Sequence, residues 1–133
     1  MDVERLRQLE LFGDLDYHDL AQVARWVHEI HARPGDVLFE QDSLPFDVFV
    51  IESGTVEVLR DGESIAMLGP GDPVGEMALL RQEKRMATVR VSTSLTAVAI
   101  PAEDLEPMAA EMPEIVATLR AVMEERQRRN QDL

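Results

Sequence analysis

Apolar residues recur at helical spacing near the amino terminus of the chain. The pattern over residues 3–12 predicts a short helix. Asp16 has the character of an N-cap, and apolar residues follow it at helical spacing as far as Val27. The turn sequence Arg33-Pro34-Gly35-Asp36 closes this region. We therefore expect the amino-terminal helices to lie within residues 3–28.

The middle of the chain changes to the short apolar runs that are typical of strands. These runs are rich in β-branched and aromatic residues, and glycine and proline separate them. Asp61-Gly62 is a strong signal for a hairpin turn. The runs occupy residues 37–39, 46–51, 55–59, 65–68, 86–91 and 95–100. Short strands at this spacing predict a barrel or a jelly roll.

Helical spacing returns after the strands. Pro101 opens one helical stretch, and Pro113 opens a second one. The second stretch carries one apolar stripe, which either packs on the roll or pairs with a second subunit in a homodimer: Ile115, Leu119, Val122 and Met123. No linker or low-complexity segment interrupts the sequence. We expect a single domain over residues 1–133, with helices at about 3–28, a β-roll at about 29–100 and final helices at about 101–130.

Charge and composition narrow the classes of function. The chain has 26 acidic and 13 basic residues, a net charge of −13 and no cysteine. Such a surface repels nucleic acid and anionic membranes, so we expect this chain by itself to bind neither. No apolar stretch has the length of a membrane span, and the amino terminus lacks the apolar core of a signal peptide. We expect a cytoplasmic protein without disulfide bonds.

Four of the 13 basic residues fall within one short segment. They are Arg81, Lys84, Arg85 and Arg90. In an acidic protein, this concentration of positive charge indicates either an anion-binding site or a solvated charged turn.

The same segment carries the residue types that hold a phosphorylated sugar. Gly75 permits a tight turn or the close approach of a ligand. Good helix formers follow it, and the start of a helix offers unpaired N–H groups to a phosphate. Arg85, at the start of the predicted next strand, could reach the same place with a rigid fork of donors. Glu76 could accept a hydrogen bond from a ribose hydroxyl, although a helix-start acid has the same sequence signature.

The segment resembles the phosphate-binding cassette of cyclic-nucleotide-binding domains. The family pattern is Phe-Gly-Glu-Leu/Met-Ala-Leu, a short variable turn, and then Arg-Ala/Ser/Thr-Ala-Thr-Val. This chain has Val74-Gly75-Glu76-Met77-Ala78-Leu79-Leu80 followed by Arg85-Met86-Ala87-Thr88-Val89, and the spacing agrees without a gap. The resemblance extends over roughly residues 10–130. Around Pro113 and Glu125-Arg126 it is especially similar to a bacterial cyclic-nucleotide-gated potassium channel.

The resemblance implies a fold and a function. The fold is of the α+β class and mainly β: an eight-stranded β-roll or jelly roll with amino-terminal helices, two carboxy-terminal helices and a short cassette helix inside the roll. The function is that of a non-catalytic regulatory sensor that binds cAMP, or less readily cGMP, and acts on an effector that the sequence does not identify. The last helix closes over the bound base, and the ligand-binding residues are Gly75, Glu76, Met77, Ala78, Arg85, Met86 and Arg126.

Each of these residues has an implied role. The N–H groups of Gly75 and Ala78 face the cyclic phosphate, and Glu76 takes the ribose 2′-OH. Arg85 pairs with the exocyclic phosphate oxygens, assisted by the N–H of Met86. The family often has a small residue, or a hydroxyl that favours cGMP, at the position of Met86, so its thioether favours cAMP. Arg126 contacts the base from the lid, with Asn130 as an alternative.

Other functions have weaker support in the sequence. A metal enzyme of the cupin shape needs clustered ligands in the barrel, whereas His18, His28 and His31 all precede it. His28 and His31 are spaced as a metal pair could be, but we expect a structural role and no metal site. A chain of this charge does not bind DNA alone, although it could be the excised sensor part of a regulator or channel. A binding-impaired domain, kept as a protein interaction module, is the remaining alternative.

Overall fold

The computed structural model describes residues 1–44, 46–75 and 83–129, without the side chains of residues 102, 105, 119, 122, 123, 126, 127 and 129. Helices stand at both ends and strands fill the middle. The helices are α1 (Val3–Arg7), a 3-10 helix (Glu10–Phe12), α2 (Tyr17–Ala24), α3 (Ala102–Glu111) and α4 (Pro113–Arg129). The strands are β1 (His28–Ala32), β2 (Val37–Phe39), β3 (Asp47–Ser53), β4 (Val56–Arg60), β5 (Glu63–Leu68), β6 (Pro73–Val74), β7 (Thr88–Val91) and β8 (Leu95–Pro101).

The eight strands form two antiparallel four-stranded sheets. The first sheet has the order β1-β8-β3-β6, and the second has the order β2-β7-β4-β5. Neighbours within each sheet are mostly distant in sequence, as in a jelly roll. The predicted mainly β, eight-stranded roll with flanking helices is therefore confirmed. The expected cassette helix falls on residues 76–80, which lie outside the described residues.

The two central strands of the first sheet, β3 and β8, are buried on both faces. In β3, Val48 and Val50 face a cluster with the helices, whereas Phe49 and Ile51 face the interior of the roll. Strand side chains alternate between faces, so a strand that is covered on both sides is apolar throughout. This explains the continuous apolar run near the start of β3, and β8 divides its side chains between the two clusters in the same way.

The amino-terminal helices depart from the sequence prediction in two places. The single helix predicted over residues 3–12 is divided into α1 and the 3-10 helix, and α2 ends earlier than expected. The Asp16 carboxylate accepts a hydrogen bond from the Asp19 N–H at 2.8 Å, which confirms the predicted N-cap. The helical interpretation as far as Val27 was wrong, because α2 ends at Ala24 and β1 begins at His28. Val27 is buried in the same cluster as the helices, so its burial preserves the apolar spacing without a continuous helix.

One arginine ties the first helix to the first sheet. Arg5 of α1 donates to both carboxylate oxygens of Glu52 in β3, at 3.0 and 2.7 Å, and also contacts Glu29 of β1. Hydrogen bonding from Arg5 lowers the pKa of Glu29 below its ordinary value. The contact links α1 with β1 and β3 of the first sheet and so fixes α1 against the roll.

The carboxy-terminal helices begin where the prolines predicted them. Pro101 occupies the position before the first residue of α3, and Pro113 is the first residue of α4. Ile115 from the predicted stripe is buried beside Met112 in the helical cluster. Within the residues that the structure describes, no helix is long and apolar enough to cross a membrane.

Candidate functional site

Arg85 is the centre of the candidate site. It is 3% exposed, and among the residues whose side chains are described it is the one charged or polar residue that is buried. Its Nη1 donates to the carbonyl of Gly75 at 2.7 Å, and its Nη2 donates to the carbonyl of Asp47. The guanidinium carbon lies 4.0 Å from the centroid of the Phe39 ring. Burial of a guanidinium costs free energy unless hydrogen-bond partners replace the lost water. These contacts with Arg85 therefore offset the cost of burying its charge.

The main chain of Arg85 is held by the loop between β2 and β3. Its N–H donates to the carbonyl of Ser43, and its carbonyl accepts from the N–H of Asp42, both at 2.8 Å. The sequence predicted that Arg85 would begin a strand, but β7 begins at Thr88. The physical reason is that this loop, rather than a sheet neighbour, provides the main-chain partners of Arg85.

Gly75 allows Arg85 to come close. It follows β6 directly and has a φ of 85°, in the left-handed region that favours glycine. A Cβ atom at this position would overlap the Arg85 guanidinium and would lie 3.0 Å from Cε2 of Phe39. Arg85 and Phe39 can therefore pack this closely against residue 75 only because glycine has no side chain.

Phe39 and Asp47 are parts of this arrangement that the sequence did not reveal. Phe39 also stacks on Phe49, with ring centroids 6.3 Å apart and an interplanar angle of 16°. Phe39 lay in a predicted strand, but nothing in that short run indicates which way its ring faces. Asp47 contributes a main-chain carbonyl, and such a contact leaves no side-chain signature.

A comparison with family models identifies the chain. The model of the cyclic nucleotide-binding domain matches residues 29–112. The chain belongs to this family. The match extends over all but the first residue of the eight strands and continues through α3, so it includes Gly75, Arg85 and the residues whose contacts with Arg85 are given above.

Similar proteins carry the same domain as one part of a longer chain. The Pycsar effector protein BcPycTIR of Burkholderia cepacia is 31% identical over 114 residues, which cover 85% of this chain and 37% of that protein. A cAMP-dependent protein kinase regulatory subunit of Yarrowia lipolytica is 34% identical over 79 residues, 59% of this chain and 21% of that protein. Other curated relatives are spanned by this chain over 12% to 26% of their length.

A solved structure confirms the fold. A protein from Geobacter metallireducens, described as a cyclic nucleotide-binding protein, has a TM-score of 0.84 and is 21% identical, with 95% of each chain covered. At this identity the likeness concerns the architecture.

Of the site residues that the sequence suggested, the structure of this cyclic nucleotide-binding domain brings two together, Gly75 and Arg85. The side chain of Met86 is 43% exposed, and its carbonyl accepts a hydrogen bond from Nε of Arg60 at 3.3 Å. Three further candidates, within residues 76–78, lie outside the described residues, as does Asn130. Arg126 belongs to α4, but its side chain is not described.

The cluster of basic residues separates in the domain. Arg90 has a different role from Arg85. Its Nη2 donates to Glu57 Oε1 at 2.5 Å, between the neighbouring strands β7 and β4. This hydrogen bond lowers the pKa of Glu57 below its ordinary value. Lys84 is exposed, and Arg81 lies outside the described residues. The concentration of charge in the sequence therefore combines a buried arginine with a surface ion pair.

The spacing of His28 and His31 does not bring the two side chains together. His28 and His31 both belong to β1, where residues three apart point to opposite faces of the sheet. Nδ1 of His31 is 3.2 Å from the hydroxyl of Thr96 on the neighbouring strand. Across the described ranges, no group of three or more His, Cys, Asp or Glu residues is placed to hold a metal ion.

Proposed function

We propose that this domain binds a cyclic nucleotide, preferably cAMP, as a regulatory sensor and catalyses no reaction. The observation that carries this proposal is the buried Arg85 guanidinium beside the left-handed Gly75, on the segment with the cassette pattern. A buried, oriented guanidinium is suited to the exocyclic oxygens of a cyclic phosphate, because its planar fork matches two oxygens at once.

The remaining contacts follow the family pattern. The N–H groups of Gly75 and Ala78, on either side of Met77, bind the phosphate, and the N–H of Met86 assists. The carboxylate of Glu76 accepts a hydrogen bond from the ribose 2′-OH. Together these residues recognise both a phosphate and a sugar hydroxyl. Free phosphate has no sugar hydroxyl, so it makes only part of these contacts.

We infer the preference for cAMP from Met86. Its thioether has no donor for guanine, so cGMP gains no specific contact there. Its exposure is compatible with a place at the mouth of the site.

The signal is a movement of α4. We propose that the helix closes over the base with Arg126 as the contacting residue, because a ligand shifts a conformational equilibrium only by binding one state more tightly. An effector in the same cell compartment, which we expect to be the cytoplasm, detects that closure. The relatives named as a kinase regulatory subunit and as an effector protein support such a link, whereas nothing supports a homodimer.

A specific observation favours the alternative of a binding-impaired interaction module. Arg85 already donates to the carbonyls of Gly75 and Asp47, so an incoming phosphate competes with these acceptors. A domain that kept Arg85 in this arrangement permanently would bind no nucleotide and would serve only in protein contacts.

The test is a calorimetric titration of cAMP into the wild type and three variants. Two charge-assisted hydrogen bonds to the phosphate contribute about 1.5 kcal/mol each, so Arg85→Ala loses about 100-fold in affinity. Arg85→Lys retains the charge but not the fork, and we expect an intermediate loss. Lys84→Ala is the matched control, because it removes one charge from the exposed neighbour.

Circular dichroism melts establish that each variant is folded before titration. A folded Arg85→Ala variant with wild-type affinity contradicts the proposed role of Arg85. An equal loss of cAMP affinity in Lys84→Ala would show that the effect of Arg85→Ala comes from the change in net charge and not from a direct contact with the phosphate.

A further inference from the structure

We infer that Phe39 is a positioning residue for Arg85: its ring sets the plane in which the guanidinium meets the phosphate. The inference rests on the proposed function, since it concerns how the same site is prepared for its ligand. It adds a residue that lies outside the cassette, on β2, and that makes no contact with the phosphate in this account.

The geometry is that of a cation held on an aromatic face. The guanidinium carbon of Arg85 is 4.0 Å from the ring centroid of Phe39, well within the range of about 6 Å for cation–π attraction. Because the guanidinium is flat, it can lie against the ring and still direct its N–H groups outward in its own plane. The ring therefore restricts the tilt of the group without occupying its donors.

Phe39 is itself held in place. Its ring is stacked at 16° on the ring of Phe49, which belongs to β3 in the other sheet and is buried. Phe39 also packs against the buried cluster inside the roll. A ring that packs against buried neighbours loses rotational freedom, so it can hold the guanidinium in place.

The main-chain contacts of Arg85 restrain it in a different way. The carbonyls of Gly75 and Asp47 accept from Nη1 and Nη2 and limit rotation within the plane of the group, but they compete with the phosphate for these donors. The Phe39 ring limits motion out of that plane and competes for none of the donors. A side chain that is already ordered pays less conformational entropy when a ligand binds, which is how Phe39 raises the affinity.

Gly75 provides independent support for this packing. A Cβ atom there would lie 3.0 Å from Cε2 of Phe39 and would overlap the guanidinium of Arg85. The ring therefore fills the space beside the glycine that the sequence pattern assigned to the phosphate site.

The experiment measures cAMP affinity in variants that keep or remove the ring. Phe39→Leu removes it, and we expect about tenfold weaker binding, in the range of a partly desolvated cation–π contact. Phe39→Tyr keeps the ring, and we expect affinity within about threefold of the wild type. Phe46→Leu is the matched control: it makes the same chemical change at an aromatic residue that is 71% exposed, and its affinity stays at the wild-type level.

A double-mutant cycle separates positioning from a general loss of packing. In the Arg85→Gln background, which has no guanidinium, Phe39→Leu changes the affinity by less than about twofold if the ring acts through Arg85. An unchanged tenfold effect in that background overturns the inference and makes Phe39 a packing residue only. Should Phe39→Leu fail to fold, Phe39→Met repeats the comparison with a side chain that adapts to the same space.

The outcomes distinguish this inference from the proposed function. A wild type that binds neither cAMP nor cGMP overturns both. A wild type that binds cAMP, with a folded Phe39→Leu variant of equal affinity, overturns the role of Phe39 and leaves the proposed function standing.

Discussion

Gly75→Ala places a methyl group where the Arg85 guanidinium and the Phe39 ring now lie. The backbone φ of 85° by itself costs an alanine roughly 1–2 kcal/mol. The new Cβ atom would also overlap the guanidinium, which is buried and bound on two sides. Arg85 must therefore move, and the disturbance of its hydrogen bond to Gly75 adds about 1–3 kcal/mol. We expect a total loss of roughly 2–5 kcal/mol in the free energy of unfolding.

A second glycine provides the control for this prediction. Gly62 has a φ of 82°, and a Cβ atom there would meet nothing within 4 Å. Gly62→Ala therefore carries only the backbone cost of roughly 1–2 kcal/mol. The difference between the two variants isolates the contact between residue 75 and Arg85.

The assay is urea unfolding followed by circular dichroism, with the free energies compared at equal slope. We expect Gly75→Ala to be less stable than Gly62→Ala by about 1–3 kcal/mol, and to bind cAMP more weakly because Arg85 is displaced. Equal losses in the two variants, within about 0.5 kcal/mol, would show that the methyl group at residue 75 does not disturb Arg85 and would contradict this prediction.

Two further predictions concern other parts of the fold. Gly54→Ala should destabilise the domain more than Gly75→Ala in the same urea assay, because its Cβ atom would overlap the main-chain carbonyl of Ser94, and a backbone yields less easily than a side chain; a smaller loss contradicts this. The pKa of the Glu57 carboxyl is lowered because Arg90 donates a hydrogen bond to it. The ion pair therefore stabilises the fold above the unfolded pKa of about 4.3, and this stabilisation is lost as the pH falls through the folded pKa. Glu57→Gln should therefore flatten the decline of the melting temperature between about pH 5 and pH 3, and an unchanged decline is the contrary result.

Much of the fold could be predicted because local signals agree with the final structure. Pro101 and Pro113 precede or begin helices, and the apolar runs form strands because each covers one or two buried faces. β1 could not be predicted in this way, since it is a polar edge strand that pairs residue by residue with β8, more than sixty positions away. β6 has only two residues and exists through its pairing with β3.

The candidate site also has a part that the sequence predicts and a part that it does not. The cassette pattern identified Gly75 and Arg85, because their chemical types and spacing are fixed by the sequence. The neighbours of Arg85 come from the loop between β2 and β3 and from the strands beside it, including the carbonyl of Asp47 and the ring of Phe39. These contacts depend on how distant segments meet, so only the folded structure places them.

The sensor function is tested by a calorimetric titration of the wild-type domain with cAMP, with cGMP and 5′-AMP as comparison ligands and the melting temperature recorded in parallel. We expect cAMP to bind with measurable heat and to raise the melting temperature, cGMP to bind more weakly, and 5′-AMP, which lacks the cyclic phosphate, to be weaker still. The absence of both heat and stabilisation with either cyclic nucleotide would contradict the sensor function and would favour the binding-impaired interaction module.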